Sequence, residues 1–357
     1  MEPQAVRCHR LPPADLARKT CSMSSPIQAD ATSLREALQT ACRRIGGGEV
    51  QDLHRLSGGA SQEIWAFDLR QPSQMLPLIL RRAPAGDRGD TEANSLRLEA
   101  TLLSQVARAG VPVPAPRLVL EPCAGLGEGY LMDRISGETL PPRIMRKSEF
   151  APARERFSTQ AGHILGTIHA TPCAEIALPE ASAPEMVQKL DERYRATGAA
   201  RPVFELALRW LNDHLPRPRS PRLVHGDFRN GNLMFGSEGI RAVLDWELAH
   251  KGDPLEDLGW LIVRSWRFGE LDLPAGGLGK LEPLIEAYEA VAGPIDRAEL
   301  RFWEIYGTLR WGVMCASMVA WVEQGIDRTP ERAMIARRAS ETELDLATLL
   351  YPGYAHA

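Results

Sequence analysis

Several large classes of protein are excluded by what this chain lacks. Its six cysteines (Cys8, Cys21, Cys42, Cys123, Cys173 and Cys315) are scattered, with no C-x-x-C pair and no histidine at metal spacing. They read as free thiols in a reducing compartment, not as a zinc site or a disulfide framework. With 42 Lys and Arg against 46 Asp and Glu there is no basic surplus, so nucleic acid is not the expected partner. The longest apolar run, residues 312–322, is bounded by Arg310 and Glu323 and is too short to cross a bilayer. It reads as a buried core helix, and no membrane partner is expected. Residues 1–29 have no continuous apolar stretch of the secretory kind and mix Pro, Arg and Ser without period, so a disordered extension and a cytoplasmic location are expected. Met23 is a second candidate start beside Met1. Gly276-Gly277-Leu278-Gly279-Lys280 is not a Walker A loop, because Pro274 and Leu281 stand where a glycine and a Ser or Thr belong. There is no G-x-S-x-G elbow for a serine nucleophile.

Asparagine is also scarce, yet two of the four fall in one octapeptide, His225-Gly226-Asp227-Phe228-Arg229-Asn230-Gly231-Asn232. This matches the H-x-D-x-x-x-x-N catalytic loop of phosphoryl transfer, in which the Asp orients the acceptor hydroxyl and the Asn holds a magnesium ion. Leu233-Met234-Phe235 and the run 240–244 flank Gly236-Ser237-Glu238-Gly239, a hairpin signal. If 235 pairs with 240, then 232 lies opposite 243 and 230 opposite 245, so Asn232 and Asp245 reach the same end of the ribbon. Two oxygen ligands converging there suit Mg²⁺.

Upstream, the pattern predicts a helix over 34–45 with a Ser33/Glu36 capping box and Gly46 at its end. Strands are expected around Val50, over 64–67 and 76–81, at 118–120 and at 129–132, with a helix from 92 to 109 between the third and fourth. The order β-β-β-α-β-β describes the small lobe of a protein-kinase-like fold. The expected class is therefore α+β and bilobal, with a β-rich N-lobe over 30–132, a hinge over 133–137 and a mainly helical C-lobe over 138–357. Within it, Ser57, Gly58 and Gly59 would form a loop over the ATP phosphates, where backbone N–H groups approach the anion. Arg81 takes the place of the strand lysine and Glu99 that of its helix carboxylate, while Arg82 should point to the opposite face. Met132, Asp133, Arg134 and Ile135 form the candidate adenine-binding hinge, with Ile79, Met132 and Leu233 around the base. His225 is expected to brace the loop. His163 and His169 read as structural histidines and Asp253 as a helix cap. Asp296 and Glu299 should cap the long helix, and Thr329-Pro330-Glu331 should open the last one.

The strings HGDFRNGNLMF, AVLDWELAHKGDPLEDLGWL and SWRFG resemble the aminoglycoside phosphotransferase superfamily. The branch they are most similar to includes the kinase-like domains attached to some acyl-CoA dehydrogenases. An Arg at the strand position is usual in that branch, as in Leu80-Arg81-Arg82. The resemblance implies ATP and Mg²⁺ as cofactors and a small hydroxylated molecule as acceptor. It points to a hydroxyacyl-CoA, with Trp260, Trp266, Trp303 and Trp311 and Arg264, Arg267 and Arg310 as candidates for its channel. An aminoglycoside or macrolide kinase and a nucleotide-binding pseudokinase are the alternatives.

Overall fold

A computed structural model describes residues 31–56, 62–83, 95–120 and 126–351. The extension 1–29 and the turn Ser57-Gly58-Gly59 lie outside the described residues. The chain opens with α1 (Ala31–Cys42), whose last turn tightens over Arg43–Ile45 and ends at Gly46 in the left-handed region, φ 98°. The helix already runs at Ala31, two residues before Ser33, so the expected capping box does not mark its start. Ala31 and Thr32 continue the helical turn past the local signal.

Five antiparallel strands follow: β1 (Glu49–Arg55), β2 (Glu63–Arg70), β3 (Met75–Arg82), β4 (Pro116–Leu120) and β5 (Gly129–Asp133), in the order β1-β2-β3-β5-β4. The alternation of strand side chains divides this sheet into two chemically different faces. Phe67, Leu69, Leu78, Leu80 and Leu131 pack with Leu34 and Leu38 of α1. The intervening Ile64, Ala66, Ile79, Arg81, Tyr130 and Met132 line a cleft. Arg82, one residue on from Arg81, turns the other way and pairs with Glu63 at 2.7 Å. Between β3 and β4 lies α2 (Leu96–Arg108). Ser95 caps it by accepting from Leu98 N–H, and Gly110 follows its end at φ 95°. Its expected start at 92 falls outside the described residues.

The remainder is mostly helical: α3 (Pro141–Arg146), α4 (Ala151–Ala170), α5 (Ala183–Ala196), α6 (Pro202–Asp213), α7 (Leu255–Leu261), α8 (Leu281–Ala292), α9 (Arg297–Glu323), α10 (Pro330–Ala336) and α11 (Ala339–Leu350). Four short strands interrupt it: β6 (Arg222–Val224), β7 (Leu233–Gly236), β8 (Gly239–Val243) and β9 (His250–Gly252). Phe157, Ala161, Ile164, Leu165 and Ile168 of α4 share one buried stripe, as their 3–4 spacing requires. The expected buried helix at 312–322 is buried only to Ala316. Beyond that α9 outruns the core, leaving Val319 and Trp321 exposed. Asp296 caps α9 through Ala298 N–H, and Thr329 caps α10. That last helix start is followed by a further helix, α11, which the absence of a side-chain cap hides from sequence reading.

Candidate active site

The loop between β6 and β7 carries residues 225–232, and the β7–β8 hairpin returns the chain to Asp245. Phe235 pairs with Ile240 as expected, but a bulge between Met234 and Phe235 shifts the register by one, placing Leu233 opposite Val243. Leu244 N–H accordingly donates to Asn232 O at 2.8 Å. Asn232 and Asp245 still arrive at the same end and both line the cleft. Side chains alternate along β7, so Met234 lines the cleft whereas Leu233 and Phe235 are fully buried. Ile79 and Met132 line it as anticipated.

The cleft encloses about 730 Å³. Arg81 stands on its sheet wall with Nη1 2.9 Å from Glu99 Oε1. Its Nη2 lies 3.0 Å from Asp245 Oδ1 and 3.3 Å from Glu247 Oε2, and its Nε donates to Gln62. Burial works against the guanidinium charge, but Glu99, Tyr130 and Asp245 together raise its pKa. Burial also pushes the Glu99 carboxyl up to about 7, Arg81 opposing and the nearby Asp245 charge adding to the rise. Both directions express one fact: three carboxylates crowd a single cation. Asp245 holds φ 64°, a left-handed conformation that is strained for a residue with a Cβ. This turn aims its side chain at Arg81.

Asp227 and His225 lie behind the cleft lining. Asp227 Oδ2 accepts from Asn232 Nδ2 at 2.6 Å, while Oδ1 accepts from Arg229 Nε at 2.9 Å and Trp260 Nε1 at 2.7 Å. His225 is fully buried, with Nδ1 3.1 Å from Asp227 N and Nε2 3.0 Å from Leu244 O. A backbone N–H must donate and a carbonyl must accept, so the imidazole is the neutral Nε2–H tautomer. Both of its nitrogens are then committed to holding the loop and the hairpin together.

The loop rests on a residue that sequence reading passed over. Asp257, on α7 and fully buried, accepts from His225 N–H at 2.7 Å and Gly226 N–H at 2.9 Å. Its Oδ2 also lies 3.1 Å from His169 Nε2, whose other nitrogen meets Tyr288 OH at 2.9 Å. Burial works against charge on Asp257, yet the His169 contact and the His225 amide hold its carboxyl below the usual range. The signal in the sequence was a carboxylate inside the apolar run Leu255–Leu261, where an unpaired charge would be costly. Asp253 is a cap as expected, accepting from Leu255 N–H at 3.0 Å.

At the hinge, Met132, Asp133, Arg134 and Ile135 all line the cleft. Asp133 N–H donates to Ala115 O and Arg134 N–H to Pro77 O, so these two amides are already committed. Their side chains point to Arg117 and Asp68 respectively. The expected channel is not formed. Trp260, Trp266 and Trp311 pack ring to ring, and with Trp303 all four are buried. Arg267 is buried against Ile262 O and Glu304, and the half-buried Arg310 pairs with Gly226 O and Glu256. Ring packing and ion pairing turn these groups toward one another, and among the described residues they line no apolar lumen.

A five-stranded sheet over a helical body, with an H-x-D-x-x-x-x-N loop facing a buried Arg–Glu pair, defines a kinase-like phosphotransferase architecture. Residues 52–303 match the Phosphotransferase enzyme family, and the chain belongs to that family. It is 34% identical over 197 residues to mouse acyl-CoA dehydrogenase family member 10, an alignment covering 51% of this chain and 18% of that protein. The chain spans between 18% and 36% of the length of the first two curated relatives it matches. A Ralstonia eutropha structure of the aminoglycoside phosphotransferase type superposes with a TM-score of 0.70 at 21% identity, covering 86% of this chain and 95% of the other. A ternary complex of aminoglycoside phosphotransferase APH(4)-Ia with AMP-PNP and hygromycin B superposes with a TM-score of 0.57 at 17% identity, covering 90% and 99%. These two likenesses establish the fold.

Proposed function

We propose that the chain is an ATP- and Mg²⁺-dependent kinase that phosphorylates a hydroxyl of a small molecule. The observation that carries this reading is that Arg81, Asn232 and Asp245 line one nucleotide-sized cleft, with Asp245 paired to Arg81 and Asp227 held behind the lining by Asn232. The adenine would lie between Ile79, Met132 and Met234, with the Ile135 amide as the remaining hinge donor. Ser57, Gly58 and Gly59 would cover the phosphates, which Arg81 would grip under the orienting hold of Glu99. A pseudokinase is disfavoured because Asp227, Asn232 and Asp245 are all present in mutually consistent positions.

The donor set fits magnesium. Asn232 commits its amide nitrogen to Asp227, which leaves Oδ1 for a ligand, and Asp245 offers a carboxylate beside it. Among the described residues no group of three or more His, Cys, Asp or Glu could hold a metal alone. That agrees with Mg²⁺, which keeps waters and takes phosphate oxygens as ligands. When bound, the ion would neutralise charge on the transferring phosphates. Asp227 would accept the hydrogen bond of the acceptor hydroxyl and hold it in line for transfer.

A hydroxyacyl-CoA remains the proposed acceptor, supported now by the acyl-CoA dehydrogenase relatives and not by the tryptophans. ATP consumption by the purified protein against hydroxyacyl-CoAs, aminoglycosides, macrolides and amino alcohols tests the assignment. Asp227→Asn should collapse turnover while ATP still binds, and Asp245→Asn should weaken Mg·ATP binding. Near-wild-type turnover in both variants would eliminate the mechanism. Transfer to an antibiotic and to no hydroxyacyl-CoA would change the acceptor alone.

A further inference from the structure

We propose that Trp260 is a positioning residue for phosphoryl transfer, its indole N–H fixing the rotation of the Asp227 carboxylate. The inference rests on the kinase reading above. A carboxylate oxygen has about two acceptor positions. On Asp227 Oδ1 both are filled, by Trp260 Nε1 at 2.7 Å and Arg229 Nε at 2.9 Å, whereas Oδ2 receives Asn232 Nδ2 at 2.6 Å. The side chain is thereby pinned from one edge, and the position left open for an acceptor hydroxyl is on Oδ2.

The indole is itself held. Trp266 packs edge-on at 5.0 Å, and the Arg310 guanidinium stacks 4.7 Å over the ring while donating to Gly226 O at 3.1 Å. Trp260 follows Asp257 by three residues on α7, so both project from one face of that helix. Asp257 grips the amides of His225 and Gly226, and Trp260 grips the next side chain along. One short helix therefore sets both the seat of the loop and the orientation of its carboxylate. Burial alone does not oblige such a bond here: in the same aromatic cluster, the Nε1 atoms of Trp266 and Trp311 are buried with no hydrogen-bond partner.

Trp260→Phe keeps a ring against Arg310 and Trp266 and deletes the donor. With water as the phosphoryl acceptor and Mg·ATP as the probe, we expect kcat to fall roughly 10- to 100-fold with KM for ATP within about twofold, the signature of an interaction made at the acceptor. In an Asp227→Ala background the same change should cost nothing further, since residues acting as a unit are non-additive. Trp311→Phe, in the same aromatic cluster but against Trp266 and Arg338 and without a contact to Asp227, should retain turnover. Independently of activity, the indole ¹H–¹⁵N signal lost in Trp260→Phe should move in Asp227→Ala. Wild-type turnover in Trp260→Phe, equal losses in both backgrounds, or an indole signal unmoved by Asp227→Ala would each overturn the inference. Full turnover in Asp227→Ala would instead remove the kinase reading, and this inference with it.

Discussion

Side chains on α7 and β9 hold the loop over residues 225–232 from outside it. His250 on β9 lies 2.9 Å from Glu256 Oε2, and the other oxygen of that carboxylate, Oε1, meets Arg310 at 3.4 Å. Burial opposes charge on this imidazole, but the Glu256 carboxylate overrides it and its pKa is pushed up to about 9 from 6.5. A raised pKa means that the folded state binds the proton more tightly than the unfolded chain. The contribution is complete below pH 6.5 and is lost as the pH rises through about 9. It amounts to on the order of 3 kcal/mol at most. Thermal melts of the wild type and His250→Gln from pH 6 to pH 10 should therefore converge on the alkaline side. A gap that stays constant across this range would mean that the charge plays no part. The pair was not legible in the sequence, because His250 and Glu256 are brought together only when β9 pairs with β6 and α7 begins.

Elements with strong local signals were legible, and their misses have local causes. The five strands follow from apolar, strand-prone runs and the end of α2 from the Gly110 stop, whereas its Ser95 cap was shown by the structure. The hairpin register was displaced by one residue at the Met234–Phe235 bulge, which extra strand residue no alternation pattern reveals. Helix packing was equally hidden. On α4, Gly162 sits where a Cβ would collide with Leu284 O and lie 3.0 Å from the Ala287 Cβ, so α8 crosses at backbone contact. In isolation, Gly162→Ala would favour the helix by about 1 kcal/mol. Here the clash is with backbone, and overpacking costs about 1–3 kcal/mol or more. Urea denaturation should show net destabilisation; a more stable variant would mean that the two helices can separate without loss.

At the scale of the whole molecule, the cleft joins the sheet to the helical body through the Arg81 contacts with Asp245 and Glu247. A ligand that binds only the folded state raises stability by about 2.7 kcal/mol at a hundred times its Kd. Mg·ATP should accordingly raise Tm, and chelation of the metal should largely abolish the shift. Arg81→Ala should reduce it strongly, and Arg81→Lys should restore part of it because a point charge replaces a planar fork. An undiminished shift in Arg81→Ala would show that Arg81 does not grip the phosphates. This test also bears on the Glu99 pair, since without Arg81 the buried carboxylate keeps Tyr130 and its like-charged neighbours but no cation.

By itself the sequence determined the order of elements in the sheet, the β-rich and helical parts, and Asp227, Asn232, Asp245, Arg81 and Glu99 as candidates. Each of these depends on residue type and short spacing, which chain-local physics controls. Tertiary structure alone decided that Asp257 seats the loop, that Trp260 turns from a channel candidate into a partner of Asp227, and that Met234 replaces Leu233 at the cleft. The first two outcomes depend on where a helix some thirty residues downstream docks, and the third on which face of β7 is turned to the cleft. Short spacing in the chain shows neither, because docking is settled by which buried polar groups find partners once the core has closed.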